Sequence, residues 1–270
     1  MDFMTLLAIF CLLMVAVAFS PLGLGGGILY VPIMHYMLDW EIKEAIVASL
    51  TLVLMVSLGS SLAHSKSGHA DNRVAKWGRI AAVPSATIGV LFSGVLLSLV
   101  GEIGIKILAA LVITFVLERT IRKSVAHTVE YSEEQLLEKR NQYLAGSSSA
   151  GIAAGILGIG GGAILVTLNR SMLKMDAKKA AGTSYLVTAT IVPVALLSHL
   201  VINQNLDVIV DNSGIFAIVL VPLMVFSSAF FGAKYAIKYL PKQVVTGVFL
   251  FVVSISLLRY IVDFLTVIKI

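Results

Sequence analysis

The sequence predicts an all-α polytopic membrane protein of two inverted repeats, each a re-entrant broken-helix hairpin followed by three transmembrane helices. Three observations carry this. Hydrophobic residues make up 58% of the chain and charged residues 13%, more apolar surface than a water-soluble domain can hide. The basic residues gather in a few short loops, and a glycine cluster recurs at half the chain's length.

Apolar runs reach the roughly 20 residues that a helix needs to cross a roughly 30 Å hydrocarbon core, and the mean hydropathy is +0.96. The net charge of +5 fits basic loops held on the cytoplasmic side of a membrane better than nucleic-acid binding. Cys11 is the single cysteine, which excludes an internal disulfide or a cysteine metal cluster. The first residues lack the basic region and cleavage site of a signal peptide, so they are read as part of the mature protein.

Stretches free of Asp, Glu, Lys and Arg run from Phe3 to Leu38, Ala45 to Ser65, Ile80 to Gly101 and Ile107 to Leu117, then from Asn141 to Asn169, Ala180 to Leu206, Asn212 to Ala233 and Gln243 to Leu258. Between the fourth and fifth, Ser132 precedes Glu133, Glu134 and Gln135 as a capping box, and Lys139 and Arg140 close a short linker helix. The chain divides into repeat 1 over 1–122, a cytoplasmic linker over 123–143 and repeat 2 over 144–270.

Sixteen of the twenty Lys and Arg residues fall in four places: 66–79, 119–140, 170–179 and 234–242. All four belong in the cytoplasm by the positive-inside rule, and the connections around Gly101 and from Asn203 to Asn212 belong outside. The segment from Asn141 to Asn169 then has cytoplasmic charge at both ends. It satisfies this by entering the membrane, turning at the cluster Gly158 to Gly162 and returning, in two arms of about 12 residues that each reach the midplane. Both termini are then extracytoplasmic, in an inner membrane.

An offset of 135, half the length, places Gly23, Gly25, Gly26 and Gly27 on Gly158, Gly160, Gly161 and Gly162 without a gap. It also places Ala45 on Ala180, Ser49 on Ser184 and His64 on His199. With three residues inserted, Val83, Pro84, Phe92 and Gly94 fall on Val221, Pro222, Phe230 and Gly232. Three crossings per half is an odd number, so the second half starts on the opposite side from the first. Inverted repeats with broken helices at their interface are transporter architecture, with substrate held near the midplane.

The motifs GLGGGILYVP (Gly23 to Pro32) and GILGIGGGAILV (Gly155 to Val166), each followed by a short polar loop and a small-residue helix such as AAGTSYLVT, resemble the TauE/SafE family of sulfite and organosulfonate exporters, related to toluene sulfonate uptake permeases. The resemblance covers nearly the whole chain and rests mostly on glycines. It implies a secondary transporter exporting a small oxyanion such as sulfite or an organosulfonate. The copies differ where Thr167 stands for Pro32, and where Val47 and Ala48 stand for Gly182 and Thr183.

The candidate substrate-binding residues are Gly25, Gly26, Gly27, Ser49, Gly160, Gly161, Gly162, Thr183 and Ser184. Helices starting near Ile28 and Ala163 aim free N–H groups and a positive dipole end at the midplane, which suits an anion; the glycines also suit close helix packing. The hydroxyls can donate to an oxyanion without bringing a charge, or serve as interhelical glue. His64 and His199 are candidates for a proton or substrate role, although histidine near a helix end is ordinary. The string Gly158 to Ala163 matches a dinucleotide fingerprint without the βαβ unit that would give it meaning. No Asp or Glu falls in the middle of an apolar run, which disfavours a cation carrier. An intramembrane enzyme would need a base and an acidic orienter at depth, and an anion channel of the same architecture is the nearer alternative. No cofactor, metal or nucleic acid is called for; the partners are a small anion and the bilayer.

Overall fold

The computed structural model describes residues 3–124, 131–203, 206–239 and 241, with scattered positions from 244 to 265. It is nearly all helical, with no strand among the described residues. The order is α1 (Phe3–Phe19), α2 (Gly27–Met37), α3 (Ile42–Lys66), α4 (Asn72–Ser124, broken at Gly101), α5 (Glu133–Glu138), α6 (Arg140–Leu157), α7 (Gly162–Ser171), α8 (Ala177–Asn203), α9 (Leu206–Ser213) and α10 (Ile215–Tyr239). Four stretches are long and apolar enough to cross a membrane: Ile42–Lys66, Asn72–Arg119, Ala177–Ile202 and Ala217–Tyr239. The last predicted crossing, Gln243 to Leu258, is described only at scattered positions, and residues 1–2 and 266–270 lie outside the described residues.

Each glycine cluster stands at a helix break. Gly26 and Gly161 hold the N-caps of α2 and α7 in the left-handed region, at φ 85° and 72°, where a Cβ would be strained. Gly158 ends α6 at φ 67°. The arms are unequal, which corrects the expectation of two arms of about 12 residues: α1 and α6 have 17 and 18 residues, α2 and α7 have 11 and 10. At about 1.5 Å per residue the long arms span roughly 26 Å.

Small residues set the distance between α4 and α6. A Cβ on Gly151 or Gly155 would run into the Ala82 or Ala86 carbonyl of α4, and a Cβ on Gly89 into the Ile152 carbonyl of α6. This small-residue spacing lets two backbones touch where lipid supplies no hydrophobic drive. On the outer face Phe3, Phe10, Leu99, Leu111, Val201 and Phe231 are exposed, as suits helices that face hydrocarbon. Ser132 caps α5 through the Gln135 N–H, and the Glu133 carboxylate takes an exposed hydrogen bond of 3.1 Å from Arg73 at the start of α4.

Candidate functional site

The glycine turns of the two halves interlock, and their contacts are reciprocal at the offset of 135. A Cβ on Gly27 would lie 2.5 Å from Ile159 Cα and 2.8 Å from the Gly158 carbonyl. One on its counterpart Gly162 would lie 2.7 Å from the Gly23 carbonyl and 3.1 Å from that of Leu24. Gly23 and Leu24 are themselves the counterparts of Gly158 and Ile159. Gly25 and Gly160 both face Val53 Cγ1, so one side chain of α3 is wedged between the two turns.

The serines follow the same exchange. Ser49 donates to the Gly158 carbonyl at 2.9 Å, and Ser184 donates to the Gly23 carbonyl at 3.0 Å and shares its hydrogen with the Gly162 carbonyl at 3.0 Å. Each serine thus holds the turn of the other half. Their hydrogens are spent on carbonyls in this conformation, so what they add is position. The histidines tie turns within a half: His64 Nε2 faces the Ser20 carbonyl at 3.3 Å, and His199 Nε2 faces the Gly155 carbonyl at 2.7 Å. A carbonyl only accepts, so Nε2 carries the hydrogen in each ring. Ser20 and Gly155 are counterparts too.

Thr183 is not brought to the turns. Its Oγ1 accepts the Asp71 N–H at 2.9 Å, binding α8 to the loop between α3 and α4. A Cβ on neighbouring Gly182 would strike the His69 carbonyl of that loop, which explains why glycine stands here. Gly25, Gly26, Gly27, Ser49, Gly160, Gly161, Gly162 and Ser184 do converge. Sequence reasoning passed over Tyr185, which is fully buried and donates to the Phe19 carbonyl at 2.7 Å, closing the first turn from α8.

A cavity of about 460 Å³ opens beside the first hairpin, lined among others by Met34 and Tyr36 of α2, Ala48 and Thr51 of α3, and Ile218 and Pro222 of α10. Ala48 and Thr51 share one face of α3, and neither Ser49 nor a turn glycine lines the cavity. At its rim Asn212 of α9 donates to the buried Glu44 carboxylate at 3.0 Å. Among the described residues no three His, Cys, Asp or Glu side chains come together as metal ligands would.

A family model described as Sulfite exporter TauE/SafE matches residues 7–260. A protein of Methanocaldococcus jannaschii, described as a "Probable membrane transporter protein", is 25% identical over 240 residues, covering 83% of each chain. No solved structure matches.

Proposed function

The chain belongs to the sulfite exporter TauE/SafE family of membrane transporters, and from that membership we propose that it is a secondary carrier exporting a small oxyanion, sulfite or an organosulfonate, across an inner membrane. It is a multi-pass membrane protein with a transporter's role; the anion, the direction and the inverted arrangement are the proposal. One observation supports it above the rest. The glycine turns exchange contacts pairwise at an offset of 135, as two halves inserted in opposite orientations and related by an axis in the membrane plane would.

At that crossing α2 and α7 begin without a side-chain cap, so their first N–H groups and positive dipole ends are the local electropositive feature. Partial charges attract a compact anion without the full charge that would hold it too tightly to release. The proposed substrate residues are Gly25, Gly26, Gly27, Gly160, Gly161 and Gly162, with Ser49 and Ser184 setting the turns and exchanging their carbonyl partners as the halves move. The cavity lined by Ala48 and Thr51 opens on the side on which α2 ends, the outer side in the proposed arrangement.

Counterflow in proteoliposomes tests this. Labelled sulfite uptake is expected to saturate and to accelerate when the lumen holds unlabelled sulfite, with no flux of Na⁺ or K⁺. Linear flux without acceleration would make the protein a channel, and absence of flux for sulfite and for sulfonates would overturn the anion reading.

A further inference from the structure

The two halves match in backbone but differ in chemistry at four buried positions around the first turn. Tyr30, Ser57, Ser60 and Tyr185 are each fully buried. Their counterparts at the offset of 135 are Leu165, Val192, Ala195 and Leu50, also buried and wholly apolar. The counterpart positions thus show that the fold packs these sites without a side-chain oxygen. The hydroxyls of Tyr30, Ser57 and Ser60 moreover make no hydrogen bond within the protein. Burying an unpartnered hydroxyl costs stability, and a cost borne three times around one turn, and at none of the matching positions in the other half, calls for a use.

The geometry says what the use is. The Tyr30 ring folds back over the N-terminus of α2, so that a Cβ on the N-cap Gly26 would lie 3.0 Å from the Tyr30 hydroxyl. From the other side the Tyr185 hydroxyl donates to the Phe19 carbonyl at 2.7 Å, and Ser57 and Ser60 lie on the face of α3 between Val53, which faces Gly25, and His64, which faces the Ser20 carbonyl. Ser57 is one turn along α3 from Ser60, on the same face. We infer that Tyr30, Ser57 and Ser60, with the amides of the first glycine turn, form the oxyanion-selecting subsite, that Tyr185 holds this turn from α8, and that Leu165, Val192 and Ala195 form the apolar counterpart. Hydroxyl donors match an oxyanion's several acceptor oxygens, whereas a halide offers a single atom. A sulfonate, with three oxygens on one face and an apolar tail, fits donors gathered on one side and leucine, valine and alanine on the other.

This rests on the anion-carrier reading, and the test separates the two. Thermal stabilisation of the purified full chain is measured with sulfite, methanesulfonate and chloride, on wild type, Tyr30→Phe, Ser57→Ala, Ser60→Ala and the triple variant. Wild type is expected to be stabilised by sulfite and methanesulfonate and not by chloride. The triple variant is expected to bind both oxyanions at least about tenfold more weakly, since each lost hydroxyl removes a hydrogen bond to a charged group. Its melting temperature without ligand is expected to equal or exceed that of wild type, because each substitution deletes an unpartnered buried oxygen; a structural role would lower it. Should the triple variant fail to fold, the single variants give the same comparison. Undiminished stabilisation of the variants, or a lower ligand-free melting temperature, overturns the subsite and leaves the carrier standing. No stabilisation of wild type by either oxyanion overturns both.

Discussion

Gly27→Val and Gly162→Val are each expected to abolish transport while leaving a chain that still inserts. Neither residue has a left-handed φ, so valine brings no backbone strain at either place. The obstacle is the opposite half: the new Cβ lands 2.5 Å from Ile159 Cα in one case and 2.7 Å from the Gly23 carbonyl in the other, and backbone cannot step aside as a flexible side chain does. Because the contacts are reciprocal, the two losses should be similar. Counterflow on protein that elutes as wild type does in size exclusion provides the measurement. Full transport by either variant would show that the turns need not touch, and one active variant beside one dead one would show that the halves are not equivalent at the crossing.

Gly151→Leu and Gly155→Leu are expected to do more, preventing the folded protein from accumulating. Both face α4, onto the Ala82 and Ala86 carbonyls. Four added carbons would push α6 off α4 along its length. Overpacking typically costs about 1–3 kcal/mol in a core that can relax; here the resisting atoms are main chain, and the cost should reach or pass the upper end. Gly94→Leu, where a Cβ meets nothing within 4 Å, serves as the control at a glycine of the same α4. The yield of monodisperse protein in mild detergent is the readout, and normal yield for the Gly151 variant would show that α4 and α6 tolerate separation.

Why the glycine clusters stood out and the hairpin arms did not is a matter of what glycine and lipid each impose. Gly26, Gly158 and Gly161 hold conformations that other residues resist, so they mark the helix breaks in the sequence itself. The run from Phe3 to Leu38 is free of Asp, Glu, Lys and Arg and mostly apolar, because hydrocarbon on one side and core on the other ask for the same residue types. Nothing in it says that 17 residues precede the turn and 11 follow. Ser49 and Ser184 were legible as polar groups at the right depth, but a hydroxyl that holds a carbonyl reads the same as one that awaits an anion. Thr183 sits one residue from Ser184 and points to a different loop, a 100° step around the helix that no motif records. Tyr30, Ser57, Ser60 and Tyr185 were legible only by setting each beside its counterpart in the other half.

Everything proposed depends on the halves facing opposite ways across the membrane, and cysteine labelling tests that directly. In a chain with Cys11 replaced by Ser, single cysteines are placed at Ser67 and at its counterpart Ile202, both exposed at helix ends, and at positions 2 and 269. A membrane-impermeant maleimide is expected to label positions 2, 202 and 269 in intact cells, and position 67 only after permeabilisation. Labelling of positions 67 and 202 from the same side would contradict the inverted arrangement, and with it the site built where the two halves cross.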